Sequence, residues 1–84
     1  MLELHQFEGC PYCQIVRQEL DELGLDYIVR TTPRPHAERG RLQEISGQSG
    51  VPVLVDTERG EVVTESQGII DYLHRHYAAE AGSR

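Results

Sequence analysis

The sequence has no lysine and no tryptophan, and its aromatic residues are four tyrosines and one phenylalanine. Its basic side chains are therefore eight arginines, set against fourteen aspartates and glutamates for a formal net charge of −6. An acidic chain without a basic stripe is not built for nucleic acid or an anionic membrane surface, both of which demand clustered positive charge. The lysine-free, acid-rich balance fits a high-salt interior and equally fits codon bias, since net charge governs solubility and not fold. Long apolar runs are also missing. The longest, Val51-Pro52-Val53-Leu54-Val55, has five residues, against the ~20 that a membrane-spanning helix needs. Met1-Leu2-Glu3-Leu4-His5 carries neither the basic start nor the apolar centre of a secretory signal, so a cytoplasmic location is expected. Cysteine is scarce too, with two residues three positions apart. Joining them would constrain almost nothing, so the pair reads as chemistry and not as scaffold. A metal is not expected. Zinc takes about four ligands, no second C-x-x-C exists, and His5, His36, His74 and His76 are scattered.

Eighty-four residues make one small domain, 1–84, burying roughly 60–65% of the surface its unfolded chain exposes. Hydrophobic residues at 38% and charged ones at 26% match a soluble globular protein. No exposed apolar stripe is evident, and a monomer is expected.

The stretch around which the chain is arranged is Glu8-Gly9-Cys10-Pro11-Tyr12-Cys13. Pro11 suits the first position of a helix, where its missing N–H would have no intrahelical partner and its φ is already helical. Cys10 then becomes the N-cap, facing the free N–H groups of the first turn and the positive end of the helix dipole. Sites of this kind lower a cysteine pKa from about 8.5 to roughly 3.5–7.5. Cys13 returns to the same side of that turn, where i,i+3 neighbours lie about 5–6 Å apart at Cβ. A disulfide is within reach there. The spacing thus predicts an exposed nucleophilic thiolate and a second thiol able to resolve a mixed disulfide.

Leu2 to Phe7 alternates with period two and predicts a strand leading into this loop, with His5 as a strand residue. Pro11 to Leu23 carries Ile15, Val16, Leu20 and Leu23 at helical spacing, with Gly24 as the stop. Leu25 to Thr31 predicts a second strand, and strand-helix-strand over this length makes a right-handed unit with parallel strands. After Thr32-Pro33-Arg34-Pro35, a second helix is predicted from Pro35 or His36 through Ile45, contacting the core through Ala37, Leu42 and Ile45. Val51 to Val55 is strand-like, yet Pro52 sits inside it without a ladder donor. A cis Val51-Pro52 bond reconciles the two signals. Asp56 to Gly60 is a hairpin loop and Glu61 to Thr64 the returning strand. Thr64 to Gln67 matches a capping box, opening a helix with Ile69, Ile70, Leu73 and Tyr77 on one face and surface positions for His74 and His76. Residues 78–84 are expected to fray. The order β-α-β-α-β-β-α gives a four-stranded mixed sheet with helices on both faces.

With these segments in place the chain resembles the thioredoxin superfamily, and within it the glutaredoxins. Cys10-Pro11-Tyr12-Cys13 is the motif most typical of dithiol glutaredoxins. Gly50-Val51-Pro52-Val53-Leu54, Glu65-Ser66 and Ile69-Ile70-x-Tyr72-Leu73 resemble the glutathione-binding half of the amino-terminal domain of glutathione transferases. The resemblance implies a thioredoxin-like α/β fold, with Cys10 as nucleophile and Cys13 as resolving thiol. It implies that Pro52 is a cis-proline facing the cysteine loop and that the Val51 backbone pairs with the cysteinyl part of glutathione. Ser66 and Glu65 would hold the carboxylate and ammonium of the γ-glutamyl end, and Tyr12 would form one wall of the groove. Two positions depart from the glutaredoxin pattern. Glu8 stands where many have a basic residue, and Thr64-Glu65-Ser66 replaces their Gly-Gly-x-Asp. The glycyl carboxylate would then turn to Arg34, Arg39 or Arg41, with Arg34 the residue chosen.

The implied activity is glutathione-dependent thiol–disulfide exchange on protein or small-molecule mixed disulfides. Glutathione, or another low-molecular-weight thiol, serves as cosubstrate, and no bound cofactor is required. Two alternatives stay open at this point. One is a transferase-like thiol-binding domain, against which stands the lack of room for a second helical domain in 84 residues. The other is an iron–sulfur carrier ligated through Cys10 and glutathione, against which stands Pro11, because carriers of that kind usually have a small residue there.

Overall fold

The computed structural model describes residues 1–82. Its elements are β1 (Leu2–Gln6), α1 (Pro11–Glu22), β2 (Tyr27–Thr31), a 3-10 turn (His36–Glu38), α2 (Gly40–Ser46), β3 (Val53–Asp56), β4 (Glu61–Thr64) and α3 (Ser66–Gly82). They form one four-stranded sheet in the order β2-β1-β3-β4. β1 and β2 are parallel, and β3 runs antiparallel to both β1 and β4. This is the α/β thioredoxin-like arrangement that the order of elements predicts.

Side chains alternate across a strand, so Leu2 and Leu4 share one face of β1 while Glu3 and His5 take the other. Leu4 is registered with Leu54 of β3. On their face Leu2, Leu4 and Leu54 pack against Val16 and Leu20 of α1 and Ile69, Tyr72, Leu73 and Tyr77 of α3. On the opposite face, His5 is registered with Val53 and shares a cavity with Leu42, the buried residue of α2. Being central, β1 is covered on both sides, which is why its alternation is faint in the sequence.

Several expectations are corrected. Ile15 is exposed, and the buried stripe of α1 is Cys13, Val16 and Leu20, because Cys13 occupies an apolar position. The second helix is interrupted. Arg39, at φ −98° and ψ 35°, separates the 3-10 turn from α2, and Ala37 and Ile45 are left exposed. β3 begins after Pro52, whose bond with Val51 is cis, so the proline needs no ladder partner. Thr64 is paired with Val53 as the last residue of β4, and it therefore cannot act as the cap of a box. Gln67 bonds Asp71 at 3.0 Å instead. Tyr72, and not Ile70, completes the buried face of α3. That helix continues to Gly82 where fraying was expected, while residues 83 and 84 lie outside the described residues.

At the far end of β3, Asp56 is fully buried. Its carboxylate accepts hydroxyl hydrogen bonds from Tyr72 at 2.7 Å and Tyr77 at 2.6 Å. It also accepts the backbone N–H groups of Glu58 and Arg59 at 3.2 and 3.3 Å, and Arg59 Nε lies 3.6 Å away. Burial pushes this carboxyl up, but the tyrosine hydroxyls and the hairpin N–H groups outweigh it and hold the group below its usual range. The hairpin is thereby fastened to α3 by one charged residue.

Candidate functional site

The end of β1 leads into the cysteine loop through Gly9, whose φ of +88° a side chain would strain. Cys10 has extended dihedrals, φ −78° and ψ 113°, and caps α1 with Pro11 in the first turn. Its N–H donates to Phe7 O at 3.3 Å, and its carbonyl accepts the Gln14 N–H at 3.0 Å. The Cys13 N–H donates to Cys10 Sγ at 3.2 Å. Both thiols are free. Cys10 is 5% exposed and Cys13 fully buried, so the open thiol anticipated from the sequence is instead turned in over the helix end that it caps. Burial, and next the hydrogen bond with Cys10, push the Cys13 thiol up from 9.0 to about 12.

A second cluster braces this loop from behind. The guanidinium carbons of Arg34 and Arg39 each lie 5.2 Å from the centre of the Phe7 ring, within cation–π range. Arg34 also donates to Glu8 O at 2.8 Å. Arg39 is 3% exposed. It donates to Pro33 O at 2.6 Å, Arg34 O at 2.7 Å and Ser49 O at 2.7 Å. One buried side chain thus ties the segment after β2 to the loop before Pro52. His36 adds a parallel link, its Nδ1 lying 3.0 Å from Ser49 Oγ.

A cavity of about 230 Å³ opens beside the first turn of α1, lined by Tyr12, Gln48, Gly50, Val51, Pro52, Glu65 and Ser66. Five of the sequence-selected residues, Tyr12, Val51, Pro52, Glu65 and Ser66, are therefore brought together. Arg34 is not among the lining residues; it lies over Phe7 and Glu8. Gln48 is an addition that no sequence signal marks, while Gly50 belongs to the stretch already singled out around Pro52. Glu65 takes φ +67°, a left-handed conformation rare for a residue with a side chain. Its carbonyl accepts the Ile69 N–H at 2.9 Å as α3 begins. The first N–H groups of a helix have no intrahelical acceptor, so Ser66 presents a hydroxyl and unpaired donors together at the mouth of the cavity. Such an end attracts anions.

Residues 4–81 match the family described as glutathione S-transferase, N-terminal domain. The chain belongs to that family. A curated relative, an uncharacterized glutaredoxin-like 8.6 kDa protein in the rubredoxin operon of Clostridium pasteurianum, is 28% identical over 54 residues, 64% of this chain and 72% of the relative. Among solved structures, a glutathione transferase homologue from Sulfitobacter with bound glutathione superposes with a TM-score of 0.82 at 26% identity, over 98% of this chain and 39% of its own length. Glutathione S-transferase 1-6 from Anopheles dirus species B gives a TM-score of 0.81 at 31% identity, over 90% of this chain and 36% of its own length. The chain thus spans less than two fifths of either transferase.

Proposed function

We propose that the protein is a glutathione-dependent thiol–disulfide oxidoreductase of the glutaredoxin type. The observation that carries this reading is the pairing of Cys10 Sγ with the Cys13 N–H at 3.2 Å at the start of α1. A sulfur held there as thiolate faces backbone donors and the positive end of the helix. In a glutathionylated protein, Cys10 attacks the glutathione sulfur, the protein leaves as its thiol after taking up a proton, and a Cys10–glutathione disulfide remains. A second glutathione, attacking as its thiolate, then displaces Cys10 and forms oxidised glutathione. Alternatively Cys13 attacks Cys10 and expels the small thiol, giving the internal disulfide. Only the thiolate attacks, and burial holds the Cys13 proton, which favours exchange with a second glutathione.

The cavity supplies the recognition in this scheme. Ser66 and the first N–H groups of α3 take the γ-glutamyl carboxylate, and Glu65 takes its ammonium. Val51 and cis-Pro52 line the cysteinyl portion, and Tyr12 forms the outer wall. Gln48, in the same lining, takes the place assigned to Arg34 at the glycyl end. A reducing, cytoplasmic setting would keep both thiols available.

A second reading, favoured by the transferase family match, is a glutathione-binding domain whose cysteines are not catalytic. Reduction of a glutathione mixed disulfide, coupled to glutathione and its reductase, separates the two. The oxidoreductase loses activity in Cys10→Ser and keeps its glutathione affinity. No activity in the wild type, or activity unchanged in Cys10→Ser, supports the second reading.

A further inference from the structure

A cavity of about 250 Å³ bordered by α2 shares no lining residue with the one beside Tyr12. Its walls come from β1 (His5), the end of β2 and the following segment (Arg30, Thr31, Thr32, Pro33), and the second helical stretch (Glu38, Arg39, Arg41, Leu42). In a chain of net charge −6, three of the eight arginines converge here against a single glutamate in the lining.

The three arginines differ in what they have left to give. Arg39 spends its donors on the carbonyls of Pro33, Arg34 and Ser49, so it contributes fixed positive charge. Arg30 donates to Glu3 at 3.1 Å and is paired with it. Arg41 is exposed and makes no hydrogen bond or ion pair among the described residues. The hydroxyls of Thr31 and Thr32 are likewise without partners among them.

The decisive residue is Thr32, 4% exposed and in the lining with its hydroxyl unpaired among the described residues, and His5 lines the same cavity. His5 is 8% exposed, and its Nε2 is a buried polar atom with no hydrogen-bond partner among the described residues. Leaving such a group unpaired costs about 1–3 kcal/mol, and buried polar atoms without partners commonly mark a missing water, ion or ligand. The charges that act on its ring are those of Glu3 on β1, Arg30 on β2 and Arg41 on α2. Burial, with the two arginines, outweighs Glu3 and keeps the imidazole below its usual pKa. The ring therefore serves as a neutral reporter in the cavity wall.

We infer that this cavity binds a small oxyanion, the carboxylate or phosphate group of a metabolite, with Arg41 supplying the unpaired charge and the Thr31 and Thr32 hydroxyls the neutral hydrogen bonds. The site is independent of chemistry at Cys10. Arg41 offers the planar fork that suits either oxyanion, and the surrounding acidic surface disfavours anions elsewhere.

The test is a titration of the full chain with inorganic phosphate and, separately, succinate, at constant ionic strength in chloride, following the histidine ring nitrogens by NMR. The inference predicts a saturable shift of the His5 ring with at least one of them. Saturation by phosphate alone assigns a phosphate group, and saturation by succinate alone a carboxylate. Arg41→Gln should weaken the binding at least tenfold and Thr31→Val more modestly, both at exposed positions and both leaving reduction of the glutathione mixed disulfide unchanged. No saturable shift with either anion overturns the inference. A shift of equal strength in wild type and Arg41→Gln does so as well, because it would report bulk ions only.

Discussion

The Cys13 N–H donates to Cys10 Sγ at 3.2 Å while the Cys13 side chain is sealed from solvent. The second cysteine therefore supports the first through its backbone and withholds its own thiol. With that thiol pushed up to about 12, Cys13 stays protonated at neutral pH and well above it. Treatment of the reduced protein with iodoacetamide at pH 8 should give one adduct per chain, on Cys10. Peptide mapping that found Cys13 modified at a comparable rate would contradict the assignment. In Cys13→Ser, reduction of a glutathione mixed disulfide should fall by no more than about threefold, because that route does not need the second sulfur.

Arg39 is the brace of the site. Replacing it with methionine leaves three carbonyls without their charged donor, and hydrogen bonds to charged groups contribute about 1.5–3 kcal/mol each, not additively. Urea denaturation should show Arg39→Met destabilised by about 2–4 kcal/mol. Arg39→Lys should recover part of this, since an ammonium keeps the charge but lacks the fork. A loss below about 0.5 kcal/mol would be that of an ordinary surface residue and would remove Arg39 from its role.

Asp56 sets the behaviour in acid. Its carboxyl is held below the usual range in the folded chain, so the stabilisation is complete above the unfolded pKa and is lost as pH falls through the lower, folded value. Thermal melts from pH 6 down to pH 2 should show this decline, and Asp56→Asn, already weaker at pH 6, should show a smaller one. Tyr77→Phe removes one hydroxyl bonded to that carboxylate and should cost about 1.5–3 kcal/mol at pH 7. Equal acid sensitivity in wild type and Asp56→Asn would transfer the effect to other carboxylates.

Glu65 holds a left-handed backbone at the mouth of the cavity. That conformation costs a residue with a side chain roughly 1–2 kcal/mol, whereas glycine adopts it freely at an entropic cost of about 0.5–1 kcal/mol. Glu65→Gly should therefore raise stability by about 0.5 kcal/mol while increasing the KM for glutathione, since the carboxylate proposed to take the ammonium is gone. Improved stability with an unchanged KM would remove Glu65 from recognition.

Much of the architecture was legible in the chain because each element announces itself locally. Pro11 opens α1, Gly24 closes it, and Pro52 within a β-branched run called for the cis bond that the structure has. The errors share a cause, which is that packing, and not the local pattern alone, decides which residues are covered. Ile15 has the right spacing for a core position, but Cys13 fills that place and rotates the stripe. Thr64 has the right spacing for a cap, but pairing with Val53 keeps it in the sheet. Arg39 reads as one more charged residue on a helix, and nothing near it in sequence reveals that three carbonyls and an aromatic ring surround it. His5 reads as a strand residue and is one, yet its unpaired nitrogen emerges only once α2 covers that face.

The claim that Cys10 exchanges with glutathione is tested most directly by trapping. Cys13→Ser, which cannot form the internal disulfide, is incubated with oxidised glutathione, and the intact chain and its peptides are weighed by mass spectrometry. The account predicts one glutathione per chain, attached to Cys10 and released by reduced glutathione. A chain that stays unmodified while remaining folded would contradict it and leave the fold as a thiol-binding module without redox chemistry.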